Sequence, residues 1–550
     1  MITEPSLPGT APTAVPRERR ARRITQRSAS VLRRHWMLAV LLTAGLGLRV
    51  VTQIAYRPVL FYIDSYKYLT GSGGIDPEGY RVLMAPFLWA THNLAVVPII
   101  QHGLGLATGL AIYTVLVRRG APRWAGALAA APILLDGYQL QMEQTLMPDV
   151  AFEAIIAAGL TILLWTPRPG WTRLVAGALV LGMAADVRQI GEVLFIPVAL
   201  FAVFVTRGGW RRVCYLIVGA VSCAVPMLVY MSVSQATGNG FTLAGHGPNV
   251  LYGRAAVAAN CATLKLPAGE TSLCPTPAQV ALGIDAIINN ADGPYEAYKP
   301  PPGQTAKQGY NDFVVRVAEQ QPLAMPLSVL RDAVRLFALT RDGVSSITPI
   351  SRWQFQPAYA TYPPGVTLPF VAEQGQHYGG GGPKTVKPLA SFLRAYQLNG
   401  GYTPGPLLAV LTAGGLAGSL LVFSRRRKDP ARTRPPDARL ARATADPQSL
   451  AAGTLLATVT VLGVVLGSDI YEFSWRYQLP ALVTLPIAGV LGGTLIAGRV
   501  AALRQAGILD TGVVSGAGVA GATRAHGAGA GIAGEHEGAE RVSPSETNRP

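Results

Sequence analysis

Long apolar stretches recur along this chain, and they limit its fold more than any other feature. A helix needs roughly 20 mostly apolar residues to cross the hydrocarbon core of a bilayer. Stretches 37–56, 94–117, 124–139, 150–165, 213–233, 406–423, 450–467 and 480–498 read as such spans. The stretch 174–205 is too long for one. As a single helix it would reach ~48 Å against ~30 Å of hydrocarbon, and Asp186, Arg188 and Glu192 interrupt its middle. It reads as two short spans, 174–186 and 192–206, giving about ten helices in all. Composition agrees: of 550 residues 50% are hydrophobic and 14% charged, against roughly 25% charged in soluble chains. That excludes a disordered protein and argues against a cytosolic enzyme.

Positive charge sets the orientation. Segments 1–36, 118–123, 166–173, 207–212 and 425–449 hold 24 Lys and Arg in 81 residues. The alternating short loops 57–81, 140–149, 186–191 and 469–479 hold 5 in 52. The basic segments all fall on one side only if 174–205 is split, so charge and length agree. Both termini are then cytoplasmic in a plasma-membrane protein, and 37–56 reads as a retained anchor rather than a cleaved signal. The formal net charge of +17 is explained by these loops, which disfavours nucleic-acid binding.

The expected fold is an all-α polytopic membrane protein with a mixed extracytoplasmic loop domain. Residues 1–36 form a basic tail, disordered over its first 30; 37–233 form a transmembrane core and 234–405 the extracytoplasmic domain. Residues 406–503 supply the last helices around the basic loop 425–449, and 504–550 form a Gly/Ala-rich tail without apolar periodicity. Within the outer segment, 308–341 has helical spacing with a break near Pro322 and Pro326. The rest reads as irregular, with a flexible tip at Gly379–Gly382.

Four cysteines divide by place. Cys214 and Cys223 lie nine residues apart in one span, on opposite helix faces, and read as apolar packing residues. Cys261 and Cys274 lie in the outer segment, where disulfides persist, and read as a structural bridge in preference to free thiols. Zinc is a poor competitor without a nearby His pair.

Ionisable residues at span ends on one membrane face are functional candidates. Four such clusters occur: FYIDSYKYL (61–69) followed by Asp76, Glu78, Tyr80 and Arg81; QMEQTLMPD (141–149); AADVRQIGE (184–192); and DIYEFSWRYQLP (469–480). Each has a plainer reading. Phe61, Tyr62, Tyr66 and Tyr68 suit an interfacial belt, and Asp64 a solvated loop. Arg188 and Arg476 suit snorkelling, and Glu143 and Asp149 suit helix ends. His246 and His377 lack metal-ligand spacing. No phosphate loop, serine-hydrolase elbow, HExxH or dinucleotide fingerprint stands in a supporting context.

In this order the residues resemble the GT-C superfamily of integral-membrane glycosyltransferases. The resemblance rests on Asp64-Ser65-Tyr66 soon after the first span, Gly79-Tyr80-Arg81, Pro148-Asp149 with Phe152 and Glu153, Val187-Arg188, and Arg476-Tyr477 followed by Pro480. It covers 35–235 well and the last two spans loosely, and the outer segment is similar to those of uncharacterised actinobacterial members. It implies a GT-C-like core and a hexosyl- or pentosyltransferase that takes a polyprenyl-phosphate sugar and glycosylates an extracytoplasmic glycan, lipid or protein, with inversion. Asp64 is then the general base and Asp149 the second carboxylate, since Ser65 stands where many relatives carry a paired acid. Arg188, Arg476, Tyr66, Arg81 and Glu143 become substrate-binding residues. No metal ligand set is expected, although two carboxylates from different loops permit a divalent cation. A transporter or lipid flippase is the main alternative, but no internal repeat appears and the acids sit at span ends rather than mid-membrane. A non-enzymatic scaffold is the third reading.

Overall fold

A computed structural model describes residues 30–245, 249–341, 343, 348–360, 367–423 and 446–505. The first 29 residues, most of the basic loop 425–449, His246 and the tail from 506 lie outside the described residues. The described residues up to 499 form one compact unit, and it is almost wholly helical. Each of the ten expected spans is a helix: Trp36–Ala55, Val96–Arg118, Arg123–Leu135, Asp149–Leu164, Trp171–Val187, Phe195–Val205, Gly209–Ala236, Gly405–Leu420, Pro447–Tyr471 and Ala481–Gln505. Among the described residues, five helices are long and apolar enough to cross a membrane alone. The chain is an all-α polytopic membrane protein.

The long stretch 174–205 breaks where its charges stand. The helix stops at Val187, Arg188 is extended, and a 3-10 turn over Gln189–Leu194 leads into Phe195–Val205. Gly191 permits this fold-back: a Cβ there would meet the main-chain carbon of Ala184 at 2.4 Å. The expected span 124–139 is cut short. Its helix ends at Leu135, and the Asp136 side chain accepts from Tyr138 N–H to cap a second short helix, Gly137–Gln144.

Residues 234–405 are more helical than their Pro, Gly and Tyr content suggests. The expected run over 308–341 forms Ala306–Gln320 and Ala324–Val334, separated beside Pro322 rather than Pro326. Further helices span Val250–Ala258, Thr367–His377 and Lys387–Leu398. Residues 250–317 have their own aromatic and aliphatic core, including Tyr252, Tyr310, Phe313 and Ile287. The Cys261–Cys274 disulfide clips its edge. Residues 350–360 and 367–402 instead pack on the helix bundle, with Trp353 and Val371 buried in the main core. A two-residue ladder pairs Tyr56–Arg57 with Lys384–Thr385. The glycine run expected to be a flexible tip is docked. Gly379 takes φ +82° and its carbonyl accepts from Leu94 N–H.

Candidate active site

Two loops from distant parts of the sequence are fastened together before any catalytic geometry appears. Leu60 N–H donates to Gln144 O at 2.9 Å and Leu146 N–H to Leu60 O at 2.9 Å. The buried Ser65 hydroxyl accepts from Tyr62 N–H and donates to Leu146 O, both at 2.9 Å. Asp64, immediately before Ser65, begins the helix Ser65–Thr70, while Asp149 opens Asp149–Leu164 three residues beyond Leu146. Local hydrogen bonding therefore brings the two aspartates to one place.

Arg476 joins them. It comes from the turn between the last two helices, and its Nε donates to both Asp149 oxygens at 3.0 and 3.1 Å. Its Nη1 lies 3.5 Å from Asp64 Oδ2. Arg188, at the break in 174–205, pairs with Asp149 Oδ1. Asp149 is fully buried, Arg476 and Arg188 are 6% and 13% exposed, and Asp64 is 26% exposed. A snorkelling arginine would hold its head in water; both of these are folded onto a buried carboxylate. Burial opposes charge on Arg476, but Asp149, Tyr477 and Asp64 outweigh it and raise its pKa well above the ordinary value. Lys67 lies 3.0 Å from Asp64 Oδ1 and 3.2 Å from Asp76 Oδ2. Burial again opposes its charge, and the two carboxylates again win, raising its pKa.

Aromatic rings wall the cluster. The Arg188 guanidinium lies 5.1 Å from the Tyr477 ring centre, and that of Arg476 lies 5.3 Å from Tyr477 and 5.5 Å from Trp353. Trp353 Nε1–H donates to Ser474 Oγ at 3.0 Å and so ties the 234–405 segment to the turn bearing Arg476. Arg352 donates to the Tyr62 hydroxyl at 3.1 Å. Phe61 and Tyr68 are buried, against Phe370 and Tyr80 respectively, so neither belongs to an interfacial belt.

The other expected binding residues lie elsewhere or only border the cluster. Tyr66 is 43% exposed two residues beyond Asp64, edge-on to Phe370. Arg81 is half exposed, 3.6 Å from Glu78, and donates to Leu69 O. Glu143 is fully buried between helices, where Arg49 donates at 2.7 Å, His102 Nδ1 lies 2.8 Å away and Gln139 Nε2 lies 3.4 Å away. Its oxygens are spent inside the bundle. His377 stacks edge-on against Tyr378.

Sequence reasoning missed Trp353, Arg352 and Lys67. It also missed Arg341, whose guanidinium pairs with Asp136 at 2.8 Å and lies over Tyr138, Tyr402 and Trp475. The aromatic–basic pairs Arg352-Trp353 and Trp475-Arg476 were the available signal. Arg476 spans the two carboxylates, and among the described residues no three His, Cys, Asp or Glu side chains gather to ligate a metal.

What the arrangement offers is an acidic group within reach of water beside two aromatic-backed guanidiniums. Such guanidiniums suit an anionic oxygen cluster. No protein-family model matches the sequence, and no curated protein matches it. Among the solved structures that align with it are two of one protein. The crystal structure of ArnT from Cupriavidus metallidurans bound to undecaprenyl phosphate is 14% identical, with 85% of this chain and 79% of that one covered and a TM-score of 0.25. The same protein in the apo state is 15% identical over 79% and 77%, again with a TM-score of 0.25. A TM-score of that size does not carry residue roles from one chain to another, and neither match points to an actinobacterial relative.

Proposed function

We propose that this chain is a GT-C-type glycosyltransferase that moves a sugar from a polyprenyl-phosphate donor to a hydroxyl on the extracytoplasmic side, with inversion. One observation carries the reading: Arg476 is shared between Asp64 and Asp149 while Arg188 holds the same Asp149, all at one end of a bundle of apolar helices. A lipid-linked donor keeps its tail in the bilayer and its phosphate at the interface. Its transfer needs a base for the acceptor and cations for the departing phosphate. The loop-charge asymmetry supports this face being extracytoplasmic and both termini cytoplasmic.

Charge balance suggests how the site works. Asp64, Asp76 and Asp149 offset Lys67, Arg188 and Arg476. An arriving phosphate must therefore compete with a carboxylate for a guanidinium. Asp149 is buried and accepts from both arginines, so it stays and sets their spacing. Of the guanidinium–carboxylate contacts in the cluster, Asp64–Arg476 is the longest and the most exposed, so it yields. Donor binding thus releases Asp64 from Arg476 and leaves it available to the acceptor hydroxyl. The acceptor oxygen attacks the anomeric carbon, Asp64 takes its proton, and the sugar–phosphate bond breaks. The lipid phosphate departs as an anion held by Arg188 and Arg476, so no general acid is required.

The test begins with the cell envelope of a deletion strain, in which one glycan or glycoconjugate should lose a sugar. Plasmid-borne wild-type chain should restore it, and Asp64→Asn at equal membrane abundance should not. An unchanged envelope glycan profile, with altered lipid distribution between leaflets, would favour a flippase instead.

A further inference from the structure

The opposite end of the bundle carries a second polar feature that transfer chemistry does not use. A cavity of about 310 Å³ opens where the first apolar helix begins, beside the start of the helix Arg123–Leu135. Arg33, Arg34 and Arg123 line it, and all three are exposed. Among the described residues none of the three has an ion-pair partner, in contrast to Arg188 and Arg476. Trp36 and Trp124 flank the opening, 60% and 58% exposed. The inner wall is polar as well: His35 Nδ1 is hydrogen-bonded to the Tyr113 hydroxyl, and both residues line the cavity.

We infer that this cavity binds a phosphate group carrying one negative charge, supplied by the headgroup of an acidic phospholipid in the leaflet opposite the Asp64–Asp149 cluster. Three unneutralised guanidiniums converging on one concavity create a local positive potential, and their fork geometry suits phosphate oxygens. Basic pockets between membrane helices on the cytoplasmic side are suited to anionic headgroups. Exposed indoles at this level sit at the headgroup boundary, the depth at which a lipid phosphate lies. Diffuse loop charge alone would not need to gather around a cavity. The inference stands independently of the transferase reading.

Native mass spectrometry of the full chain in detergent tests it, with dioleoylphosphatidylglycerol, zwitterionic dioleoylphosphatidylcholine and inorganic phosphate as separate probes. Wild-type protein should retain one phosphatidylglycerol in preference to phosphatidylcholine. Arg33→Gln/Arg34→Gln/Arg123→Gln should weaken that retention on the order of a hundredfold. Arg173→Gln/Arg211→Gln/Arg212→Gln removes the same charge from other loops on that face and should leave it intact. Failure of inorganic phosphate to compete identifies the lipid as the source, whereas competition at low concentration replaces the lipid with a soluble phosphate and overturns that part. Equal loss in both triple variants, or equal retention of both lipids by the wild type, overturns the site. If the first triple variant is not monodisperse, Arg123→Gln alone carries the same test with a loss of roughly fivefold.

Discussion

The bundle holds two clusters built from the same parts, an arginine on a buried carboxylate, and they differ in what is left over. In the Arg49–Glu143–His102 group Glu143 is closed off from solvent, and Arg49 donates to Glu143 and to the carbonyls of Gly45, Ile133 and Leu134. His102 spends its second nitrogen on Gln144. In the Asp64–Asp149–Arg188–Arg476 group the base of the cluster is equally buried, but Asp64 remains reachable and holds Arg476 only at 3.5 Å. An ion pair closed off from solvent fixes helices; one with a solvent-reachable carboxylate at the membrane edge can exchange a partner. The useful distinction is therefore access for an incoming group, not charge or the burial of one partner alone.

The sharpest attempt to break this contrast is Asp64→Asn. It keeps size and removes the proposed base, so sugar transfer should fall 10²–10⁴-fold, or ~3–5 kcal/mol, with little change in thermal stability. Reconstituted vesicles with the matched donor and acceptor provide the rate. Near-normal transfer would place Asp64 in the same structural class as Glu143. Next in size, Glu143→Ala strands Arg49 without its charge partner and should cost about 3–5 kcal/mol of stability. The readout is yield and melting temperature in detergent, and an Arg49→Met/Glu143→Leu double variant should recover much of the loss. If Glu143→Ala stays stable and only transfer falls, the two clusters are not different in kind.

Arg188→Lys and Arg476→Lys sharpen the comparison at the anion. Lysine keeps the charge but loses the fork, so donor KM should rise in both, with less effect than the alanine variants. Unchanged donor kinetics in both alanine variants would remove phosphate binding from their role. Removing the Cys261–Cys274 bridge should cost up to ~3 kcal/mol for a loop of this length, spent in the 250–317 core while transfer persists in the folded fraction. Hydrogen exchange confined to that region checks it.

The smallest effect is a pH dependence. Burial first, and then Asp285, push the Glu472 carboxyl up to about 7, with Thr348 and Arg352 pulling the other way. A raised carboxyl pKa means that the folded chain binds this proton more tightly than the unfolded one. Its contribution to stability is present at low pH and is lost as pH rises from about 4.5 through about 7. Glu472→Gln should flatten that slope in melting temperature, and an unaltered slope would assign it to other groups.

Much of this architecture is legible in residue order because hydrocarbon imposes length and charge rules on it. The break at Arg188 follows from both rules, and Asp64, Asp149, Arg188 and Arg476 were found as charges at span ends on one face. Glu143 obeys the same rule at the same level, yet belongs to the other class. Its partners Arg49 and His102 lie inside apolar helices, where sequence gives no register between helices. Trp353 and Arg352 offered only their aromatic–basic pairing as a signal, because their contacts to Ser474 and Tyr62 span 121 and 290 residues. Gly379 looked free because a glycine run leaves no side-chain pattern, whereas its contact with Leu94 is made by main chain.

Sequence separation also sets a clock on the Asp149–Arg476 pair. The two residues are 327 positions apart, and at roughly 5–20 residues per second a ribosome needs on the order of tens of seconds to travel between them. For all but the first 39 positions of that interval Arg188 has already been made, so it is the earlier of the two cations available to Asp149. Interrupting synthesis between these two arginines would leave Asp149 with one guanidinium where the folded chain gives it two.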